Sequence, residues 1–334
     1  MMPAHKDDTK TYPEPDRISS LEPIELGGLQ QWITLRGHDT TKPVLLYLAG
    51  GPGGTDLAWT RKYLPELEQY FVVVNWDQPG SGKSFRAVEP SALTLERYLS
   101  DAYELTQKLL HRFGQSKLYL LGHSWGSMLG IWLIQRYPAL YHAYIGTGQV
   151  INAVENDVTG YELALKLLAE KGDQRTLARL RKLGPPPYRD GNIVLKYGGY
   201  STTLYNYMKA HAEGESGKGR PSMTLDILRA AEYSLMDKIN YFRAIFSTFR
   251  HVYPQLEDVD FEQQIPRVEV PVYFALGRWD VNAVSSIAAR YFERLEAPYK
   301  ELVWFEQSGH LPHYEEPKRF VQFMVERVLG YHPT

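Results

Sequence analysis

The most restrictive feature of this sequence is a serine with glycines two positions away on both sides, Gly122-His123-Ser124-Trp125-Gly126. The apolar run KLYLL before it is typical of a buried strand, and WGSMLGIWLIQRY after it is typical of a helix that ends before Pro138. A strand that turns directly into a helix crowds the backbone, so the flanking residues must be small. The pattern therefore predicts a sharp turn that presents Ser124 above the edge of a sheet.

Strand-like and helix-like segments alternate before residue 150 and again after residue 256. Continuous apolar runs, each typical of a strand buried on both faces, occur in KPVLLYLAGG, YFVVVNWDQPGSG, KLYLLGHS, VPVYFALG and KELVWFE. Helix-like stretches connect most of these runs, which predicts a mostly parallel sheet with helices on both faces. We therefore expect an α/β fold.

Helix-like patterns without comparable strand runs fill the middle of the chain. We expect their connecting loops at GPPPYRDG, at YGGYST and at Glu213–Pro221, where glycine, proline and polar residues concentrate. This organisation predicts a loose N-terminal arm at 1–20, a first part of the α/β core at 21–149, a helical module at 150–255 and a second part of the core at 256–334.

The composition argues against several classes of function. A net charge of −2 gives no electrostatic basis for binding nucleic acid or an anionic membrane, and zero cysteines exclude disulfides and thiolate catalysis. No H-E-x-x-H pattern or similar histidine cluster occurs, so we expect neither a metal nor a cofactor. No run of 18 apolar residues and no apolar signal core occur, so we expect no membrane span and a cytoplasmic location, with secretion after removal of a leader as the open alternative. The oligomeric state stays open.

Two further segments supply the groups that a serine nucleophile needs. A serine hydroxyl reacts poorly unless a base accepts its proton. Asp280 follows the strand-like VPVYFALG and His310 follows KELVWFE, so both should lie with Ser124 at the carboxyl edge of the sheet. We expect His310 to accept the proton of Ser124 and Asp280 to orient the imidazole.

Other roles for the residues around this site remain open. Asp280 could instead cap the helix that follows it. His313 is a second candidate base, although Glu315 and Glu316 beside it favour surface chemistry at a helix start. We interpret His123 as a structural residue that points away from the serine oxygen.

The glycine-rich turn Leu48–Gly54 follows the first buried strand and allows a close approach of backbone N–H groups to a ligand. We assign an oxyanion hole to the N–H groups of Gly51 and Trp125, with Gly50 as a neighbouring substrate contact. A phosphate loop is the alternative. The Walker-like DQPGSGKS carries Asp77 where that motif requires glycine, and G-x-G-x-x-G is absent from the first strand–helix turn, which disfavours an NTPase or a dehydrogenase.

As a set, these motifs resemble the α/β-hydrolase superfamily, specifically the branch that contains proline iminopeptidase (prolyl aminopeptidase). The matching segments are AGGPGG, NWDQPGSGKS, GHSWGS, GRWD and SGH followed by EEP. The resemblance implies an α/β-hydrolase fold, a cap domain at about 150–255 over the active site, and a catalytic triad of Ser124, Asp280 and His310. Ala49 and Pro79 depart from the histidine and arginine of that family.

The sequence constrains the identity of the substrate less than it constrains the type of reaction. In iminopeptidases, carboxylates of the cap bind the free amino group of the substrate, and the tryptophan–glutamate pattern at the start of that cap is missing here. Glu155, Asp157, Glu232 and Asp237 are candidates for this role, although each is also typical of a solvated helix charge. Haloalkane dehalogenase and epoxide hydrolase chemistry would need a carboxylate at position 124.

Three functions therefore stay open. The first is a serine hydrolase of the aminopeptidase type, which cleaves small peptides or amides through an acyl-enzyme. The second is an esterase, lactonase or amidase for a small apolar substrate. The third is a catalytically inactive binding protein, which would predict a broken triad. In the first two cases the partner is a small molecule or a short peptide.

Overall fold

Eight strands form a single sheet in the computed structural model, which describes residues 16–214 and 223–330. Their order across the sheet is β1-β2-β4-β3-β5-β6-β7-β8. β2 pairs antiparallel with β1 and β4, and every other pair is parallel. The strands are β1 Ile18–Leu26, β2 Leu29–Gly37, β3 Val44–Leu48, β4 Val72–Asp77, β5 Leu118–His123, β6 Tyr141–Thr147, β7 Val272–Gly277 and β8 Lys300–Phe305. The predicted α/β fold with a mostly parallel sheet is confirmed.

Helices cover both faces of this sheet. Within β3, Leu46 and Leu48 join the apolar cluster on one face, whereas Leu45 and Tyr47 join the cluster on the other. Burial on both faces explains the continuous apolar run of this strand. The helices are α1 Leu57–Tyr63, α2 Leu95–Phe113, α3 Trp125–Arg136, α4 Ala153–Lys171, α5 Gln174–Leu183, α6 Ile193–His211, α7 Met223–Arg229, α8 Leu235–Val252, α9 Phe261–Gln264, α10 Ser285–Arg294, α11 Pro312–Glu315 and α12 Pro317–Phe323.

The helices α4 to α8 lie between β6 and β7 and form what we call the helical insertion, residues 153–252. The helices α4, α5 and α6 have an apolar cluster of their own, whereas Ile227 of α7 and Tyr241 of α8 belong to a cluster of the sheet. The buried members that α4 and α6 contribute to their own cluster include Tyr161, Leu168, Tyr197 and Leu204. The helices α4 to α6 therefore pack as a unit, and α7 and α8 join the insertion to the core.

Two details of the predicted organisation are wrong. Ile18 pairs with Gly37 in β1, so the last three residues of the predicted arm at 1–20 belong to the sheet; residues 1–15 lie outside the described residues. The predicted loop YGGYST lies inside α6. The side chains of Tyr197 and Tyr200 are buried there, whereas a Cβ atom at Gly198 would meet nothing within 4 Å, so packing of the tyrosines outweighs the low helix propensity of glycine. Of the loop predicted at 213–221, residues 215–221 lie outside the described residues.

Candidate active site

Ser124 occupies a strained turn between β5 and α3. Its φ of 52° is the only positive value of a non-glycine residue within 16–214 and 223–330. A Cβ atom at Gly122 would lie 2.6 Å from the carbonyl oxygen of Gly126, and a Cβ atom at Gly126 would overlap the carbonyl oxygen of Leu48. The two glycines are therefore required by the close approach of the strand, the helix and β3.

His310 and Asp280 meet at the carboxyl ends of β8 and β7. The Nδ1 atom of His310 lies 2.9 Å from Oδ2 of Asp280. The other oxygen of Asp280 accepts backbone N–H groups from Asn282 and Ala283, both at 2.9 Å. The carboxylate thus binds the imidazole and also organises the turn before α10, so the two roles considered for Asp280 coexist.

The loop that carries His310 is held by two buried carboxylates. Glu315 accepts the backbone N–H of Gly309 at 2.6 Å. Glu316 accepts the hydroxyl of Ser308 at 2.7 Å and the backbone N–H of Gln307 at 3.0 Å. Both glutamates are less than a tenth exposed, so the sequence interpretation of a polar surface at this helix start is wrong.

Ser124 lies where two cavities meet. The large cavity, of about 560 Å³, is lined by Ser124 and His310 and by Gly50 and Gly51 of the glycine-rich turn. The small cavity, of about 130 Å³, is lined by Ser124, Gly51 and Trp125 and by residues of α4, α6 and α8. The structure therefore brings together the serine, the histidine and the glycine-rich turn that the sequence predicted to form one site.

Two histidines lie beside His310, and one of them, His313, is buried where the sequence favoured surface chemistry. His313 is completely buried, with Nε2 2.9 Å from the hydroxyl of Tyr47, and burial lowers its pKa to about 3. His123 lines the large cavity, and its ring centroid lies 4.8 Å from those of both His310 and His313. Burial, followed by the proximity of His310 and His313, lowers the pKa of His123 well below its ordinary value. Both residues are thus neutral neighbours of His310.

Of the four carboxylates considered for amine binding, only Asp157 reaches a cavity at Ser124. Glu155 forms two hydrogen bonds with Arg290, at 2.7 and 2.8 Å. Glu232 pairs with Arg61 and Asp237 with Lys83, the latter at 3.0 Å. These three side chains are not among the lining residues of either cavity. They tie the helical insertion to the core instead.

Asp157 is a buried carboxylate in a ring of tyrosines. The hydroxyl of Tyr253 donates to its two oxygens at 2.8 and 2.9 Å, and that of Tyr200 donates at 3.2 Å. Burial raises the pKa of Asp157 to about 7, and the tyrosine hydrogen bonds oppose that shift. A cation that entered the small cavity would find a carboxylate with little competing solvent.

A second buried acid, Asp56, lines the large cavity and was not predicted. Its Oδ1 atom accepts the hydroxyl of Tyr314 at 2.8 Å, and burial raises its pKa to about 7. No sequence pattern marks this residue, because its partner is 258 residues further along the chain.

Within residues 16–214 and 223–330, no group of three or more histidine, aspartate or glutamate side chains is placed to hold a metal ion. In the same part of the chain, no helix has the length and apolar character needed to cross a bilayer.

The sheet order, the strained serine turn and the cavity beneath the helical insertion define a class of protein. Residues 45–323 match the model of the alpha/beta hydrolase family, and the chain belongs to this family. It is a hydrolytic enzyme.

Relatives that match nearly the whole chain are named as aminopeptidases. The probable aminopeptidase YbaC of Bacillus subtilis (strain 168) is 32% identical over 309 residues, which cover 92% of this chain and 96% of the relative. The proline iminopeptidase of Clostridioides difficile (strain 630) is 24% identical over 311 residues, or 90% of this chain and 94% of the relative. The resemblance to proline iminopeptidases expected from the motifs is confirmed.

Solved structures with this fold include different hydrolases. The proline iminopeptidase of Mycobacterium smegmatis superposes with a TM-score of 0.64 at 18% identity, over 93% of this chain and 99% of that chain. A 2-hydroxy-6-oxo-6-phenylhexa-2,4-dienoate hydrolase from Rhodococcus sp. strain RHA1 superposes with a TM-score of 0.61 at 17% identity, over 94% and 100%. At these identities the superpositions show the fold, and the residues of the site must be used to infer the substrate.

Proposed function

We propose that this protein is a serine hydrolase with a catalytic triad of Ser124, His310 and Asp280, and that it removes the N-terminal residue from small peptides or amides. The observation that carries the aminopeptidase part is the buried carboxylate of Asp157 in the same small cavity as Ser124. The reaction would pass through an acyl-enzyme.

The hydrogen bond between His310 and Asp280 supports the direction of proton transfer. Because Nδ1 of His310 faces the carboxylate, Nε2 would be the atom that accepts the proton of the Ser124 hydroxyl. Ser124 Oγ would then attack the substrate carbonyl carbon, and Asp280 would stabilise the imidazolium. When the C–N bond breaks, the same proton passes from Nε2 to the leaving amine. A water molecule, deprotonated by His310, would release the acyl group from Ser124.

The negative oxygen of the tetrahedral intermediate needs donors that are already in place. Trp125 is the first residue of α3, so its N–H has no acceptor within the helix and lies at the positive end of the helix dipole. Gly51 lines both cavities beside Ser124. We propose that these two N–H groups form the oxyanion hole, with Gly50 contacting the substrate next to them.

Asp157 would bind the protonated amino group of the substrate. Its position in α4 means that the helical insertion, acting as a cap, supplies the receptor. The small cavity is well below the roughly 300–1,000 Å³ of ordinary ligand pockets, which favours a compact N-terminal residue such as alanine or proline. The large cavity would then hold the leaving group.

The second candidate, an esterase or amidase for an apolar substrate, is favoured by the apolar walls of the large cavity. Trp59, Met208, Tyr241, Ile245 and Phe249 line it. An inactive binding protein is disfavoured, since the chain retains the serine, histidine and aspartate that the proposed triad needs. The cytoplasmic location stays a prediction.

A substrate panel separates these candidates. We would measure kcat/KM for alanyl and prolyl 4-nitroanilides, for their N-acetylated forms and for 4-nitrophenyl acetate and butyrate, with Ser124→Ala as the blank. We expect a preference for the free amines of at least about tenfold, and a fall of that preference in Asp157→Asn, because the neutral amide no longer attracts the ammonium group.

The matched control is Glu155→Gln, which removes a carboxylate two positions away on the same helix that is paired with Arg290 outside the cavities. It should keep the preference for free amines. Equal rates on free and acetylated compounds would overturn the aminopeptidase assignment, and hydrolysis by Ser124→Ala at the wild-type rate would overturn the triad.

A further inference from the structure

One buried glutamine side chain joins the two elements that carry the proposed oxyanion donors. Gln78 follows β4 directly and is 2% exposed. Its Nε2 atom donates to the carbonyl oxygen of Ala49 at 3.2 Å, and its Oε1 atom accepts the indole N–H of Trp125 at 2.8 Å. Ala49 lies two residues before Gly51 in the glycine-rich turn, and Trp125 begins α3.

We propose that Gln78 is a positioning residue for the oxyanion hole, which holds the glycine-rich turn and the start of α3 at a fixed separation. This inference rests on the proposed function, since it takes Gly51 and Trp125 as the two donors. A hole made from two separate chain segments needs such a link, because a displacement of about 1 Å at a reacting centre can cost roughly 10²-fold in rate.

The chemistry of the partners determines the orientation of the amide. A backbone carbonyl only accepts hydrogen bonds and an indole N–H only donates them. Oε1 must therefore face Trp125, and Nε2 must face Ala49. A side chain in this place has to donate in one direction and accept in the other, which glutamate and methionine cannot do.

The turn that carries Gln78 is itself held from several sides. The carbonyl oxygen of Gln78 accepts both the backbone N–H and the hydroxyl of Ser81, at 2.9 and 2.8 Å. The hydroxyl of Tyr98 donates to the carbonyl oxygen of Pro79 at 2.8 Å. The ring of Tyr98 also packs edge-on against Trp125, with centroids 5.3 Å apart. The backbone of this turn is thus held to α2, whereas the Gln78 side chain supplies the direct link between Ala49 and Trp125.

The test uses probes that do not depend on an amino group. We would measure kcat and KM for 4-nitrophenyl acetate, and the inhibition constant of phenylboronic acid, which forms a tetrahedral adduct with a serine nucleophile. The variants are Gln78→Met, which keeps the length and removes both hydrogen bonds, and Gln78→Glu, which can accept from Trp125 but cannot donate to Ala49. Tyr98→Phe is the control, since it loosens the same turn and leaves the amide intact.

We expect kcat to fall about 10- to 100-fold in Gln78→Met with KM changed less than about threefold, because the hole acts on the transition state. The inhibition constant of phenylboronic acid should rise in parallel, which a merely structural loss would not produce. Gln78→Glu should also lose kcat, and Tyr98→Phe should stay within about threefold of the wild type.

A cycle with Trp125→Phe keeps the inference testable if Gln78→Met folds poorly. Trp125→Phe removes the indole N–H and retains the backbone N–H. Its effect on kcat should be much smaller in the presence of Gln78→Glu than alone, because Gln78→Glu has already broken the link at Ala49. Hydrolysis that depends on Ser124, together with wild-type kcat and boronate affinity in both Gln78 variants, would overturn the role of Gln78 and leave the proposed function intact. Hydrolysis unaffected by Ser124→Ala would overturn both.

Discussion

The Nδ1 atom of His310 lies 2.9 Å from Oδ2 of Asp280, and Oδ1 of the same carboxylate is held by two backbone N–H groups. Asp280 therefore cannot rotate away from the imidazole without breaking the turn that precedes α10. Its side chain is 1% exposed, so water competes little for the histidine. The tautomer and the direction of the ring are both fixed by this contact.

The substitution Asp280→Asn should lower kcat by about 10³- to 10⁴-fold, because an amide neither holds the imidazole in the required tautomer nor stabilises the imidazolium. Steady-state kinetics on any substrate whose hydrolysis depends on Ser124 would measure this. Glu306→Gln, at an exposed carboxylate paired with Arg278, is the control and should retain full activity. A fall of less than about tenfold in Asp280→Asn would contradict the role given to Asp280.

The glycine two residues after Ser124 should tolerate no side chain. Gly126→Ala would drive a methyl group into the carbonyl oxygen of Leu48, and we expect a loss of about 3 kcal/mol or more in the free energy of unfolding, or no folded protein. Gly198→Ala is the matched substitution inside α6, where a Cβ atom meets nothing within 4 Å. It should stabilise the protein by about 0.5–1 kcal/mol. Urea titrations would measure the change in the free energy of unfolding for each variant, and we expect the two changes to have opposite signs.

The raised pKa of Asp157 predicts that this residue lowers the stability of the folded protein as the pH rises. Because burial raises the pKa to about 7 from an ordinary value of 3.8, the folded state holds a proton that the unfolded state has released between these pH values. Stability from this group is therefore complete below pH 3.8 and is lost as the pH rises towards 7. Asp157→Asn removes the cost of holding a buried carboxylate without its proton. The free energy of unfolding of Asp157→Asn minus that of wild type should therefore be larger at pH 8 than at pH 5, by on the order of 2 kcal/mol.

Chemical denaturation of wild type and Asp157→Asn at both pH values would measure this difference. Glu162→Gln, an exposed position on the same helix, supplies the control. A stability difference between Asp157→Asn and wild type that does not change with pH would show that the carboxyl group titrates normally.

The loop before His310 should depend on Glu316. In Glu316→Ala the hydroxyl of Ser308 and the N–H of Gln307 lose their common acceptor in a buried place, which should cost about 2–3 kcal/mol of stability. A lower kcat should accompany it, since His310 follows this loop. Thermal melting and kinetics would be compared with Glu306→Ala, at the exposed start of the same loop. Equal stability of the two variants would argue against a positioning role for Glu316.

The local features of this protein could be predicted because their causes are local. Gly122 follows from the crowding of the strand–helix turn itself, since a Cβ atom there would meet Gly126, whereas Gly126 is crowded by Leu48 of β3. The strands could be recognised from unbroken apolar runs, since a strand buried on both faces has no polar side. The placement of Asp280 and His310 at one edge follows from the rule that parallel strands end together.

Local signals were misleading where distant packing overrides them. The two adjacent glycines in YGGYST predict a loop, yet Tyr197 and Tyr200 bury their rings in the cluster of the helical insertion and keep the segment helical. The residues His313, Glu315 and Glu316 have the composition of a solvated helix start. Their burial is decided by contacts with the core, such as the one between His313 and Tyr47, 266 residues apart.

The fold class and the strained serine turn could be inferred from the amino-acid sequence, because sterics and strand periodicity act over a few residues. Only the folded chain determines which of four similar carboxylates lines a cavity together with Ser124. Asp157 differs from Glu155, Glu232 and Asp237 through Tyr200 and Tyr253, which lie 43 and 96 residues away and enclose it. Burial and pKa are set by such distant neighbours, and their arrangement exists only once the chain has folded.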